Sequence, residues 1–131
     1  MHHLLRRALA PALVSLALAA CGDSTLAPFQ PEIGNAADNF QFQVTALTNV
    51  TTSVEYPWQN SGTSANVNQS TSLTAGTANV TILDAAGATV YAKALTENGT
   101  FQTTAGQAGS WRIRVVLQGA SGAVNFRVQK R

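Results

Sequence analysis

Trp111-Arg112-Ile113-Arg114-Val115-Val116-Leu117-Gln118 leads through Gly119-Ala120-Ser121-Gly122 into Val124-Asn125-Phe126-Arg127-Val128-Gln129. Alternation of period two marks a half-buried strand, because successive side chains point to opposite faces. Trp111, Ile113, Val115 and Leu117 make one face; Arg112, Arg114 and Gln118 make the other. Val124, Phe126 and Val128 alternate with Asn125, Arg127 and Gln129 in the same way. The glycines between the two runs predict a turn. The stretch therefore reads as a hairpin with one apolar face and one polar, cationic face.

The same texture extends upstream. Phe40, Phe42 and Val44 alternate with Asn39, Gln41 and Gln43, and Val54, Tyr56 and Trp58 repeat the pattern. Pro57 cannot donate to a ladder, so this strand should lie at a sheet edge or near its end. Asn60 to Gly62 reads as a turn. Residues 65–73 read as a weaker strand, rich in Ser, Asn and Gln and broken at Gly76. Residues 79–83 and 89–95 form two arms around Asp84-Ala85-Ala86-Gly87, a turn whose glycine can take positive φ. Asn98-Gly99 signals another turn before a short strand over 100–104. About eight strands with glycine turns and no helical period predict an all-β sandwich. A high content of Thr and Val agrees.

The N-terminal segment has a different character. Arg6 and Arg7 precede an uncharged run from Ala8 to Ala20, rich in Leu and Ala. That length suits a signal-peptide core and falls short of the roughly 20 apolar residues that span a bilayer. The run ends in Leu18-Ala19-Ala20-Cys21, which resembles the lipobox of bacterial lipoprotein precursors. The resemblance implies a diacylglycerol joined to Cys21 through a thioether, cleavage before Cys21, and acylation of the freed amine. The alternative is an ordinary signal peptide cut after Ala20. Gly22, rather than Asp, follows the cysteine. By the sorting rule of such lipoproteins this implies the outer membrane. Residues 22–35 carry Pro28, Pro31 and Gly34 with little periodicity. The expected organisation is a signal peptide over 1–20, a lipidated tether over 21–37 and a β-sandwich domain over 38–131.

Removing residues 1–20 from a chain of 131 leaves enough for one domain with a modest core. It also changes the charge. The whole sequence is formally +2, but Arg6 and Arg7 go with the signal. Lys93, Arg112, Arg114, Arg127, Lys130 and Arg131 then balance Asp23, Glu32, Asp38, Glu55, Asp84 and Glu97. A neutral mature chain is a poor partner for nucleic acid. His2 and His3 leave with the signal as well, which removes the commonest general base and transition-metal ligand. With Cys21 the only cysteine, no intramolecular disulfide is possible and packing alone must hold the fold.

Three pieces resemble a known family. Asp38-Asn39-Phe40-Gln41-Phe42-Gln43-Val44 is similar to the first core strand of bacterial pre-peptidase C-terminal domains. Val80-Thr81-Ile82-Leu83-Asp84-Ala85-Ala86-Gly87 resembles their central strand and turn. Residues 108–115, a glycine-containing turn and Val124–Val128 resemble their closing hairpin. The resemblance spans most of residues 38–129. It implies a jelly-roll-like β-sandwich used for binding or secretion. Residues 49–76 are longer and more polar than that pattern, and no peptidase is attached. Some members bind calcium through acidic clusters; the acids here are isolated, so that property is not carried over.

Candidate sites follow from these faces. Tyr56 and Trp58 fit either packing beside Val54 or an aromatic platform for a sugar or peptide. Arg112, Arg114 and Arg127 fit either a shared anion-binding face on the closing hairpin or a solvated face that discourages sheet aggregation. Asp84 can supply at most two of the six to eight oxygens that calcium needs, so a turn-stabilising role is expected. No Ser/His/Asp set can form without histidine, and no paired carboxylates stand out. No cofactor, metal or enzymatic activity is expected. The expected function is a non-catalytic binding or accessory module, anchored to a membrane through lipid on Cys21 and contacting an envelope protein or glycan. The alternatives are a passive structural envelope lipoprotein and a small metal-dependent hydrolase.

Overall fold

The computed structural model describes residues 25–131. Residues 1–24, which include the run read above as a signal peptide and the expected lipidation site Cys21, lie outside the described residues. After a short 3-10 turn at Ala27–Phe29 the described residues form seven strands: β1 (Glu32–Ala36), β2 (Asn39–Asn60), β3 (Ala65–Gln69), β4 (Ser72–Leu83), β5 (Thr89–Ala94), β6 (Gly99–Gln102) and β7 (Gly109–Lys130). All pairings are antiparallel. The fold is all-β and sandwich-like.

Two strands of 22 residues, β2 and β7, carry the architecture. They pair along their whole length, from Asn39 opposite Gln129 to Asn60 opposite Gly109. This ribbon is bent double. In a straight strand, residues 42 and 56 would lie about 46 Å apart at about 3.3 Å per residue. Here the rings of Phe42 and Tyr56 are 6.0 Å apart, and those of Phe40 and Tyr56 are 5.5 Å apart. The backbone amide of Asp38 donates to the Gln59 carbonyl at 2.8 Å. One layer therefore holds the second half of β2, the first half of β7, β4 and β5. The other holds β1, the first half of β2, the second half of β7, β3 and β6.

The bend corrects two expectations. Gly119–Gly122 is not the turn of a hairpin. It is a corner inside β7, whose halves pair with other strands and not with each other. Gly76 likewise does not break a strand; β4 runs through it. Register shifts lie between Val44 and Leu47, Leu47 and Val50, and Val50 and Thr52. Extra residues on one strand bend it and increase its twist. Ala46 and Asn49 take φ of 57° and 49° there. The buried positions step by three through Val44, Leu47 and Val50, then return to even spacing. The corner needs glycine because backbones cross closely. A Cβ on Gly122 would lie 2.4 Å from the Ser72 carbonyl oxygen, and one on Gly76 would lie 2.1 Å from that of Gly119.

Between the layers sits one core. It includes Phe40, Phe42, Val44, Val54, Trp58, Ile82, Trp111, Ile113, Val115, Leu117, Phe126 and Val128, all buried. Trp58 and Trp111 are cross-strand neighbours and meet edge-to-face at 5.9 Å. Each indole finds an acceptor, as a buried indole N–H must: Trp58 Nε1 donates to the Ala36 carbonyl at 3.0 Å, and Trp111 Nε1 to the Gln107 carbonyl at 2.7 Å. Among the described residues, Pro57 sits where β2 has only β7 as a ladder partner, so its missing N–H leaves no ladder bond unmade.

The domain begins earlier than residue 38. β1 pairs with β2, Asn35 Nδ2 donates to the Pro57 carbonyl, and Leu26 is 1% exposed within the core. A single leucine in a polar stretch gives no periodicity, so only the tertiary structure shows that it packs.

Candidate functional site

The three arginines do not share a face. Trp111 and Ile113 on one side of the corner, and Phe126 and Val128 on the other, all point into the same core. The intervening side chains therefore emerge from opposite outer surfaces. Arg112 and Arg114 lie on the layer of β4 and β5, and Arg127 on the layer of β3 and β6. Arg114 reaches Glu55 at 3.1 Å, with its own side chain 43% exposed. An exposed pair of this kind contributes about 0–1 kcal/mol. Arg127 donates instead to Gln41 Oε1 at 3.2 Å. Trp58 is buried and offers no platform. Tyr56 packs against Phe40 and Phe42 and contributes to the wall of a cleft described below.

Around Arg127 the register assembles a surface that the sequence scatters over four strands. Asn39 stands opposite Gln129, Gln129 opposite Asn66, and Asn66 opposite Gln102. The next row is Gln41, Arg127, Asn68 and Thr100, followed by Gln43 beside Asn125. Opposed residues point to the same face. Their inward neighbours Phe40, Phe42, Val67, Phe126 and Val128 fill the core, so this grid faces out. Asn68 Nδ2 donates to Thr100 Oγ1 at 2.7 Å. The side-chain amides of Gln43, Asn66 and Gln129 make no hydrogen bond to another described residue. Each side-chain amide offers two donor hydrogens and an acceptor oxygen. The face thus carries many neutral hydrogen-bonding groups around the Arg127 guanidinium, with the Arg131 guanidinium beside Gln102 at one edge and Glu32 opposite Gln43 at the other.

Other polar residues are committed to the fold. Asp84 Oδ1 accepts from the amides of Ala86 and Ala88 at 3.0 and 2.9 Å, and Oδ2 from that of Gln107 at 2.8 Å. These bonds, Gln107's first, hold its carboxyl below the usual aspartate range. Oδ1 is occupied by the turn and Oδ2 by the loop before β7, and no cluster of three His, Cys, Asp or Glu lies among the described residues. Asp38 accepts from the Ser61 amide at 2.8 Å and the Ser61 hydroxyl at 2.9 Å and sits 3.6 Å from Lys130. The Ser61 bonds, first that of the amide, lower its carboxyl. Buried Gln69 ties the layers together. It donates to the carbonyls of Ala94 and Glu97 at 3.0 and 2.7 Å and accepts from the Tyr91 hydroxyl at 2.6 Å. Burial, then the nearby charge of Glu97, pushes the Tyr91 phenol up to about 12.

Two clefts flank the first described segment. One, of about 300 Å³, is lined by Phe29, Gln30, Glu32, Gln43 and Thr45. The other, of about 380 Å³, is lined by Leu26, Ala27, Pro31, Ile33 and Tyr56 and is largely apolar. No helix among the described residues is long and apolar enough to cross a membrane.

No protein-family model matches the chain. No curated protein matches it in sequence. Among solved structures, one of accessory secretory protein 1, 2 and 3 from Streptococcus pneumoniae is similar at 10% identity and a TM-score of 0.38. That alignment covers 79% of this chain and 87% of that one. The structure of infectious bursal disease virus Gt strain is similar at 16% identity and a TM-score of 0.30. It covers 76% of this chain, but this chain spans only 30% of that one.

Proposed function

We propose that this protein is a non-catalytic binding module, anchored to the outer membrane of a bacterial envelope through lipid on Cys21, and that its ligand is a glycan held on the amide face around Arg127. The observation that carries this reading is the grid itself: Asn39, Gln41, Gln43, Asn66, Asn68, Gln102, Asn125 and Gln129 in register on one outward surface. Side-chain amides suit sugars because they can donate to one hydroxyl and accept from its neighbour. Arg127 adds a fork that matches a carboxylate, so an acidic sugar unit is the best fit at the centre. The mature part holds no histidine or free thiol once Cys21 is acylated, which supports a binding role over a catalytic one. The likeness of residues 38–129 to pre-peptidase C-terminal domains points the same way.

The test is calorimetric titration of the purified mature protein with neutral and uronic-acid-containing envelope polysaccharides. Arg127→Ala should weaken binding by about 10- to 150-fold and Asn66→Ala by about 2- to 12-fold, since a hydrogen bond to a charged group contributes about 1.5–3 kcal/mol and one between neutral groups about 0.5–1.5. Arg112→Ala, on the opposite surface, should leave affinity unchanged. Binding that survives the Asn66→Ala, Arg127→Ala and Gln129→Ala triple variant, or no binding to any of these polysaccharides, rejects the glycan assignment.

A further inference from the structure

The start of the fold constrains how a lipid anchor would hold it. Leu26 is 1% exposed in the core and β1 begins at Glu32, so the domain starts almost at once after the lipidation motif. Only Gly22 to Thr25 separate Cys21 from Leu26. Fully extended, that connection reaches about 17 Å, at about 3.3–3.6 Å per residue. A domain tethered this closely cannot turn its N-terminal corner far from the bilayer.

That corner is apolar. The 380 Å³ cleft opens between Leu26, Ala27, Pro31, Ile33 and Tyr56, and none of these residues is charged. Ile33 is 37% exposed, and it is the large hydrophobic residue that stands out on the surface of the described residues. Every residue of β1 is exposed, and its free edge has no partner strand among the described residues. Apolar surface left in water is unfavourable, whereas the boundary between head groups and acyl chains accepts it. The short connection and the apolar corner coincide at the same residues.

We infer that the corner formed by Leu26, Ala27, Pro31, Ile33 and Tyr56 seats on the lipid bilayer surface, with Ile33 and the cleft mouth in the head-group and acyl boundary and Glu32, on the other face of β1, in water. This rests on the acylation of Cys21 proposed above, and it adds an orientation to it. The anchor supplies attachment. The corner fixes which side of the sandwich faces the membrane and restricts how the amide face is presented.

The full chain carrying Ile33→Cys, processed in cells and reconstituted in phosphatidylethanolamine/phosphatidylglycerol vesicles, tests it. An acylated Cys21 has its sulfur in a thioether, so the introduced thiol alone takes an environment-sensitive fluorophore. The control is Thr96→Cys, an exposed position in the turn before β6, which is the layer edge opposite β1. A nitroxide in the upper acyl region should quench the label at position 33 several-fold more than at position 96. Equal quenching in protein whose acylated mass is confirmed overturns the seating and leaves the anchor standing. A free Cys21 thiol and no acylated mass overturn the anchor, and the seating falls with it. Shielding of position 33 that persists in detergent and grows with protein concentration assigns the corner to a second copy and also overturns the inference.

Discussion

A comparison of two glycines tests the central feature of this fold. Gly87 and Gly122 both have positive φ, +87° and +123°. At Gly87 an added Cβ would meet nothing within 4 Å. At Gly122 it would lie 2.4 Å from the Ser72 carbonyl oxygen, 2.9 Å from Leu73 Cα and 3.2 Å from the Thr74 amide nitrogen. Those are backbone atoms of β4, and no side chain can swing away to make room. Gly87→Ala therefore carries only the backbone penalty of an L-residue in left-handed space, about 1–2 kcal/mol. Gly122→Ala carries that penalty and an overpacking cost of about 1–3 kcal/mol or more. Its sum, about 2–5 kcal/mol, is a large share of the 5–15 kcal/mol that holds a typical domain together. In a domain of this size the corresponding fall in melting temperature is roughly 10–30 °C. Circular dichroism melts and urea titrations of both variants, beginning at Gly22, measure the difference. If the two substitutions cost the same within about 0.5 kcal/mol, β4 does not cross β7 at Gly122. The segment would then be the free hairpin turn that its sequence suggests.

Trp111→Ala should cost about 3–5 kcal/mol by cavity formation, read by the same melts; a silent substitution would place this indole outside the core. A chain starting at Asp38 should be less stable than one starting at Gly22 by about 1.5–3 kcal/mol for Leu26 alone, and equal urea midpoints would return residues 25–37 to the role of a tether. The Tyr91 phenol is raised to about 12 in the fold from an ordinary value of 10.0. The unfolded chain therefore loses that proton first, so stability should be full below about pH 10 and decline as pH rises towards 12. Tyr91→Phe should flatten that alkaline decline; an unchanged slope would show that the phenol is not buried. Asp84 and Asp38 titrate below their ordinary value of 3.8. Their contribution is present above that pH and should be lost as pH falls through the folded values, with Asp84→Asn reducing the acid slope.

The outer amide face shows where sequence and tertiary structure part. Asn39, Gln41 and Gln43 on one run, and Asn125, Arg127 and Gln129 on another, are legible as outward positions because their apolar neighbours alternate with them. That Asn66 and Asn68 belong beside them is not legible, since β3 joins β7 across a separation of more than fifty residues. The same limit explains the arginines. Period two places Arg112, Arg114 and Arg127 away from the apolar side chains, but it does not reveal that the sheet folds over between them. A glycine pair inside an alternating run is compatible with a turn or with a corner. Only the partner strands decide which.

By itself the sequence determined the class of the fold and most of its core. Alternation marks Phe40, Phe42, Val44, Val54, Trp111, Ile113, Val115, Leu117, Phe126 and Val128 as one apolar face of their strands, and all are buried; Trp58, which alternation leaves open between core and platform, is buried as well. Alternation is a local property, set by the geometry of consecutive residues in an extended chain. The tertiary structure alone decided that β2 and β7 form one ribbon bent double, that Leu26 and β1 belong to the domain, and which outer residues share a surface. Those outcomes depend on register between distant strands. Register is set by bulges, close backbone crossings and the joint filling of one core, none of which is a property of any single stretch of chain.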